Sequence, residues 1–179
     1  IICGNPANNN GGGIYCDTDS SPLIINNIIS NNTVTNKGGG IYCFTDSFPI
    51  ITNNIISGNS SSSDGGGIRI CNCSPTITDN IISDNMSALG GGGIACKDHS
   101  FAIIANNTLT RNTASTSGGG IYCFTVSSPT ITNTILWDNS APSGKEIWVG
   151  TSSNPSTLTI SYSDVEGGQS SCYVETGST

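Results

Sequence analysis

Apolar and polar residues alternate along this chain in pieces too short to be helices, and the pieces recur. Gly-Gly-Gly followed by a short apolar run ends at Ile14, Ile41, Ile68, Ile94 and Ile121, in steps of 27, 27, 26 and 27. A degenerate copy, Lys145-Glu146-Ile147, follows 26 residues later. Each copy continues with a piece such as Pro75-Thr76-Ile77-Thr78 and then one such as Asn54-Ile55-Ile56-Ser57. An Asn closes the unit at Asn5, Asn32, Asn59, Asn85, Asn112 and Asn139. Alternation with a period of two marks strands. The Gly, Pro, Asn and Ser between the pieces are turn formers. A fixed period of this size marks a solenoid. The pattern predicts an all-β parallel solenoid of about six coils of 26–27 residues, with three short strands per coil. At about 4.8 Å per coil its axis measures roughly 29 Å. The residue missing from the third copy is placed between Cys73 and Ile77. Residues 1–168 are assigned to coils and 169–179 to an irregular tail, rich in Ser and Thr.

Stacking the copies predicts which side chains meet. Ile14, Ile41, Ile68, Ile94, Ile121 and Ile147 form one inward ladder, with Cys16, Cys43, Ile70, Cys96, Cys123 and Val149 two residues on. Ile24, Ile51, Ile77, Ile104, Ile131 and Leu158 form another. The stiff χ1 of Ile suits such a stack. Asn27, Asn54, Asn80 and Asn107 align at a bend, where Asn tolerates left-handed backbone and its amide can bond its neighbours above and below. Tyr15, Tyr42, Arg69, Ala95, Tyr122 and Trp148 form the outward row of the first strand.

Composition removes several function classes. Ile occurs 25 times against five Leu and five Val, which speaks for strands over helices. The longest apolar run falls far short of a membrane-spanning helix, so membrane insertion is not expected. Net charge is −7 and only Lys37, Lys97, Lys145, Arg69 and Arg111 are cationic. Five scattered cations cannot line a basic groove, which excludes nucleic acid as a partner. A weakly charged surface rich in hydroxyls and amides suits an extracellular or cell-surface protein. The opening Ile1-Ile2-Cys3-Gly4-Asn5 matches Ile55-Ile56-Ser57-Gly58-Asn59, so it reads as the third strand of an earlier coil, and both ends read as cut.

The Gly-Gly-Gly-Ile motif alternates with Ile29-Ser30-Asn31-Asn32, Ile56-Ser57-Gly58-Asn59, Ile82-Ser83-Asp84-Asn85, Leu109-Thr110-Arg111-Asn112 and Leu136-Trp137-Asp138-Asn139. This pattern resembles the right-handed parallel β-helix repeats of the pectate-lyase-like superfamily. Within it, uncharacterised prokaryotic surface proteins are nearest, and the repeats of polymorphic outer-membrane proteins are similar. The resemblance implies a right-handed β-helix. It implies no single activity, because the superfamily includes lyases, hydrolases, epimerases and adhesins.

Candidate chemistry is sparse. Polysaccharide hydrolysis needs placed carboxylate pairs, and lyase chemistry needs Asp clusters with an Arg or Lys base. No such constellation is visible. Asp19 and Asp46 stack at one turn and are the candidate for a weak Ca²⁺ site, although neighbouring Asp residues more often simply form turns. In that column Cys73, His99 and Val126 are expected to follow. His99 is the sole histidine and has no signalled nucleophile beside it. Cys16 with Cys43, and Cys96 with Cys123, are expected as stacked buried thiols. Cys71-Asn72-Cys73 lies on a turn and lacks a second pair at zinc spacing; Cys3 and Cys172 lie near opposite ends. Tyr15, Tyr42, Tyr122 and Trp148 are the candidate face for stacking on sugar rings, against the plainer reading that aromatics cover a sheet. Interrupted Thr rows, as at Thr76 and Thr130, argue against an ice-binding array. Asn-x-Ser/Thr occurs at Asn31, Asn59, Asn72, Asn85 and Asn106.

Two functions follow as expectations, with no cofactor and no metal in either. The first is a noncatalytic cell-surface segment serving as a rigid, adhesive or filament-assembly unit, partnered by itself head to tail or by further coils of a longer parent chain. The second is a domain that binds or processes surface polysaccharide.

Overall fold

A computed structural model describes residues 1–151 and 153–179. The chain winds as a parallel β-solenoid, and the predicted strand pieces pair coil to coil in the predicted register. Sheet I contains Ile14–Cys16, Ile41–Phe44, Ile68–Cys71, Ile94–Lys97, Ile121–Phe124, Ile147–Val149 and Cys172–Val174. Sheet II runs from Leu23–Ile25 through Ile50–Thr52, Thr76–Thr78, Ile103–Ala105 and Thr130–Thr132 to Thr159–Ser161. Sheet III runs from Ile2–Cys3 through Ile28–Ser30, Ile55–Ser57, Ile81–Ser83, Thr108–Thr110 and Ile135–Trp137 to Asp164–Val165. No helix among the described residues is long and apolar enough to cross a membrane.

A fourth sheet was not predicted. Pro6–Ala7, Thr33–Val34, Ser60–Ser61, Met86–Ser87 and Thr113–Ala114 follow the closing Asn and pair in parallel. The Thr33 N–H donates to the Asn5 carbonyl at 3.0 Å and the Thr35 N–H to the Ala7 carbonyl at 3.1 Å. The inward residue is Val34, Ser61, Ser87 or Ala114. Such small or polar side chains leave no hydrophobic alternation to read, so the backbone alone makes this sheet.

The core is the stack of inward rows. Ile29, Ile41, Ile51, Ile56, Ile68, Ile77, Ile82 and Ile94 are fully buried. Burying one such side chain contributes about 1.5–3 kcal/mol. Three expectations are corrected. Ile131 pairs with Ile160 rather than Leu158, and Ile160 remains 39% exposed because no coil lies above it. The residue missing from the third copy is lost from the turn at Asn72. Earlier turns use two left-handed residues, Thr45 and Asp46, where the third copy has only Asn72. Cys73 therefore takes the inward place held by Ser47 and Ser100 rather than continuing the Asp19 and Asp46 column. Its carbonyl accepts from the Phe101 N–H as Ser47's accepts from the Ser74 N–H.

The third correction concerns the tail. After a 3₁₀ turn at Gly168–Ser171, Cys172–Val174 pairs with Ile147–Val149 as a seventh rung of sheet I. Thr179 donates its N–H to the Ser156 carbonyl at 3.1 Å and accepts from the Leu158 N–H at 2.6 Å. Unpaired strand edges carry donors and acceptors that must be satisfied, and the tail supplies partners for them.

Candidate functional site

The outward row of sheet I is in register as expected, but it is closed. Tyr15 stacks on Tyr42 at 5.2 Å, Tyr122 packs on Trp148 at 4.8 Å, and Trp148 stacks on Tyr173 at 5.9 Å. The chain leading into each Gly triplet lies against this row. A Cβ built on Gly38, Gly65 or Gly90 would come within 2.7, 2.8 or 2.7 Å of the side chains of Tyr42, Arg69 or Tyr122. Tyr42 is consequently 2% exposed and Trp148 9%. Of the expected sugar-stacking face of Tyr15, Tyr42, Tyr122 and Trp148, Tyr42 and Trp148 are thus packed into an aromatic layer, while Tyr122 is half-buried and Tyr15 is exposed. Burial pushes the Tyr42 and Tyr122 hydroxyls up.

The other candidates do not converge. Asp19, Asp46 and His99 are exposed at turns. Among the described residues no three His, Cys, Asp or Glu side chains gather as a metal site. Cys71 and Cys73 point to opposite sides of the wall and cannot share a ligand. The Cys71 thiol faces outward within 3.3 Å of Asp98 Oδ2, whereas the Cys73 Sγ sits in the core 3.2 Å from the Cys43 carbonyl. Cys16 pairs with Cys43 and Cys96 with Cys123 in register, all four buried and free. Of the Asn-x-Ser/Thr acceptors, Asn59 and Asn85 are wholly buried, while Asn31, Asn72 and Asn106 are exposed.

Two polar ladders run through the interior. The predicted one passes from Asn27 through Asn54 and Asn80 to Asn107, each backbone N–H donating to the next Oδ1 at 2.9–3.0 Å. It continues through Thr134 and ends on Ser163. The second was visible only as a spacing landmark: Asn5, Asn32, Asn59, Asn85, Asn112 and Asn139. At each step N–H and Nδ2 both donate to the next Oδ1, while Nδ2 also reaches a carbonyl of the preceding coil, as from Asn59 to Ile29 at 2.9 Å. The third Gly of each triplet sits where the backbone of the next coil comes close, with this ladder beside it. A Cβ on Gly40 would lie 2.6 Å from the Gly67 carbonyl oxygen and 3.1 Å from Asn59 Nδ2.

At the last step of this ladder the chemistry changes. No Asn follows Asn139, and Glu146 replaces the third Gly of its triplet. The Glu146 carboxyl turns inward, wholly buried, and accepts from Asn139 N–H at 3.1 Å and from Asn139 Nδ2 at 2.5 Å. Glu166, on the seventh rung, accepts the Asp138 N–H at 2.8 Å. Burial first, and then Glu166, push the Glu146 carboxyl above its ordinary range. Burial and the neighbouring Glu146 charge also raise the Cys172 thiol. An open groove of about 420 Å³ at this end of the solenoid is lined by Ile147, Ile160, Val165, Gly168, Gln169 and Cys172 among others. The sequence signal for this end was the change from Gly-Gly-Gly to Gly-Lys-Glu.

A family model described as a right handed beta helix region matches residues 2–109 and 62–179, which together span nearly the whole chain. Comparison with curated proteins and with solved structures finds no match. The in-register parallel coils, the inward Ile rows and the family match agree, and the chain belongs to the right-handed β-helix family.

Proposed function

We propose that this chain is a noncatalytic β-helix segment of an extracellular or cell-surface protein, acting as a rigid unit that stacks end to end with itself or with further coils of a parent chain. The observation that carries this reading is the continuity of the interior. Both ladders and the sheets tie every coil to its neighbours, so the segment behaves as one stiff body. Its first rung offers strand edges paired on one side only, at Ile2–Cys3, Ile14–Cys16 and Leu23–Ile25. Such edges template pairing with another chain. A head-to-tail contact is heterologous and produces an open filament. A hydroxyl- and amide-rich surface supports the location. Size-exclusion with light scattering and electron microscopy test it. Mass rising with concentration, with rods of one coil cross-section, is the expected result. A concentration-independent 18.3 kDa species without rods would overturn self-stacking.

The polysaccharide reading has narrower support, since its aromatic row is well exposed at Tyr15 and Tyr173, at 42% and 45%, and only half-buried at Tyr122. Titration with neutral and uronate oligosaccharides tests it. Binding that is lost in Tyr173→Ala would favour it over a structural role.

A further inference from the structure

Sheet II turns an uncharged face to solvent on which large and small side chains alternate. Counted by its strands, from Leu23–Ile25 in the first coil to Thr159–Ser161 in the sixth, one outward column reads Leu23, Ile50, Thr76, Ile103, Thr130 and Thr159. Two residues earlier on the same face a second column reads Ser21, Phe48, Ser74, Phe101 and Ser128. Backbone bonds hold it in register, as from the Ser74 N–H to the Ser47 carbonyl at 3.3 Å and from the Ser128 N–H to the Ser100 carbonyl at 2.9 Å. Phe48, Ile50, Phe101 and Ile103 are each about half exposed. The bulky residues of the second and fourth coils thus stand about 10 Å apart, with the small Ser74 and Thr76 between them. Charge is kept to the rims: Asp19, Asp46 and His99 at the turn before the face, and Asp79 at the corner after it. Exposed apolar side chains gathered on one flat face with a polar rim mark an interaction surface. Sheet III has no such alternation, since Ile28, Ile55 and Ile81 succeed one another in its outward row.

We propose that sheet II is the contact face of an antiparallel dimer of this chain, with its two-fold axis along the strands between the third and fourth coils. Rotation about that axis lays each column over its own column and reverses the coil order. The first coil then meets the sixth, the second the fifth and the third the fourth. Phe48 faces the partner's Ser128 and Phe101 the partner's Ser74. Ile50 faces the partner's Thr130, Ile103 the partner's Thr76 and Leu23 the partner's Thr159. Every bulky side chain enters a place where the opposite face is small. An axis through the third coil would instead set Phe48 against the partner's Phe101 and leave Ser74 facing itself. The rims agree with the same axis. Asp46 faces the partner's Val126, His99 the partner's Asn72 and Asp79 the partner's Asn106, so no acid among these meets an acid, as a specific contact requires. Five residues along each strand by six coils make a plane of roughly 450 Å² on each chain. Two such planes with their side-chain relief reach about the 1,000 Å² at which specific interfaces begin, which makes the pair a weak one. The contact is isologous and closes at two chains. It leaves the strand edges at both ends of the solenoid untouched, so it does not depend on the end-to-end stacking proposed above.

Light scattering on the full chain over a dilution series tests it, with variants at outward positions that leave the strand ends alone. The unaltered chain should reach twice 18.3 kDa, or multiples of that pair where it also stacks. I50E and T130K each bring an unpaired charge into the contact and should halve the mass at every concentration. Mixed in equal amounts, these two variants should recover the paired mass, because position 50 of one chain faces position 130 of the other and opposite charges meet. I103K mixed with I50E should not recover it, because position 103 faces position 76. If I50E fails to fold, T76E with I103K is the matched pair. An unaltered chain that stays at 18.3 kDa throughout overturns the dimer. A mass that I50E leaves unchanged overturns it too, and would assign the growth to the solenoid ends and this face to another partner. Equal recovery of I50E by T130K and by I103K overturns the register. Growth of I50E in single-chain steps, with pairing lost, supports the dimer and the end-to-end stacking together.

Discussion

Arg69 lies in register above Tyr42 on the outer face of sheet I, and its guanidinium is buried to 1% exposure without a carboxylate partner. Its Nη1 donates to the Ile70 carbonyl at 3.2 Å, and its Nε–H has no partner. The residue above it is Ala95, which interrupts the aromatic column between Tyr42 and Tyr122. The long Arg side chain fills that interruption, and its apolar stem packs where a ring is missing. Shape therefore retains this residue although its charge is poorly served.

Arg69→Met keeps the length and removes the buried charge and the orphaned donor. Replacing poorly compensated buried charge by a hydrophobe of similar volume is neutral or stabilising by about 1–4 kcal/mol. The urea midpoint of the variant should rise or stay level. A clear fall would mean that the guanidinium is satisfied in a way the geometry does not reveal.

Asn59→Ala removes the acceptor for the Asn32 N–H and Nδ2 and the donor to the Ile29 carbonyl. All three groups are buried. Each unsatisfied group costs about 1–3 kcal/mol, so the loss should be about 3–9 kcal/mol. Equilibrium denaturation measures it. A loss under about 1 kcal/mol would show that water replaces the amide.

Ile77 and Ile81 flank the Asn80 corner and point opposite ways: the first is fully buried and the second is 48% exposed. Ile77→Ala should cost about 2–5 kcal/mol. Ile81→Ala should stay within about 0.5 kcal/mol. Equal losses at the two sites would require a different strand register.

Burial pushes the Cys73 and Cys123 thiols up to about 12 and holds Cys96 well above its ordinary range, and the hydrogen bond with Cys16, then burial, does the same for Cys43. Thiolate is the reactive form, so these four should resist alkylation at neutral pH and react only on unfolding. Cys3 is exposed and should react first, with Cys172 behind it. Peptide mapping after timed labelling reads the order. Raised folded-state values also favour the neutral thiols, so their stabilising contribution is fully present below the ordinary cysteine range and is lost progressively as the pH rises from there through the raised values. Rapid labelling of Cys96 in the folded chain would contradict the packed column.

The solenoid was legible in the sequence because stacking converts distance along the chain into contact. A residue 26 or 27 positions away lies directly above, so the repeat reveals the inward Ile and Cys rows and the Asn27 ladder without any coordinates. What the repeat could not reveal was whatever depends on chain lying beside a coil rather than on it. Tyr42 and Trp148 alternate outward from sheet I and read as exposed, but the chain entering the Gly triplet covers them. Thr33–Val34 and its equivalents form a sheet through backbone bonds, with no apolar pattern to betray it. The tail from Gln169 has no repeat, yet the free edge of Ile147–Val149 pairs with Cys172–Val174. Glu146 shows the division within one residue. The sequence determines that a carboxylate stands where each earlier coil has glycine. Only the fold decides that it turns inward, because no asparagine follows Asn139 and the space and donors left by that missing side chain are what the carboxyl occupies.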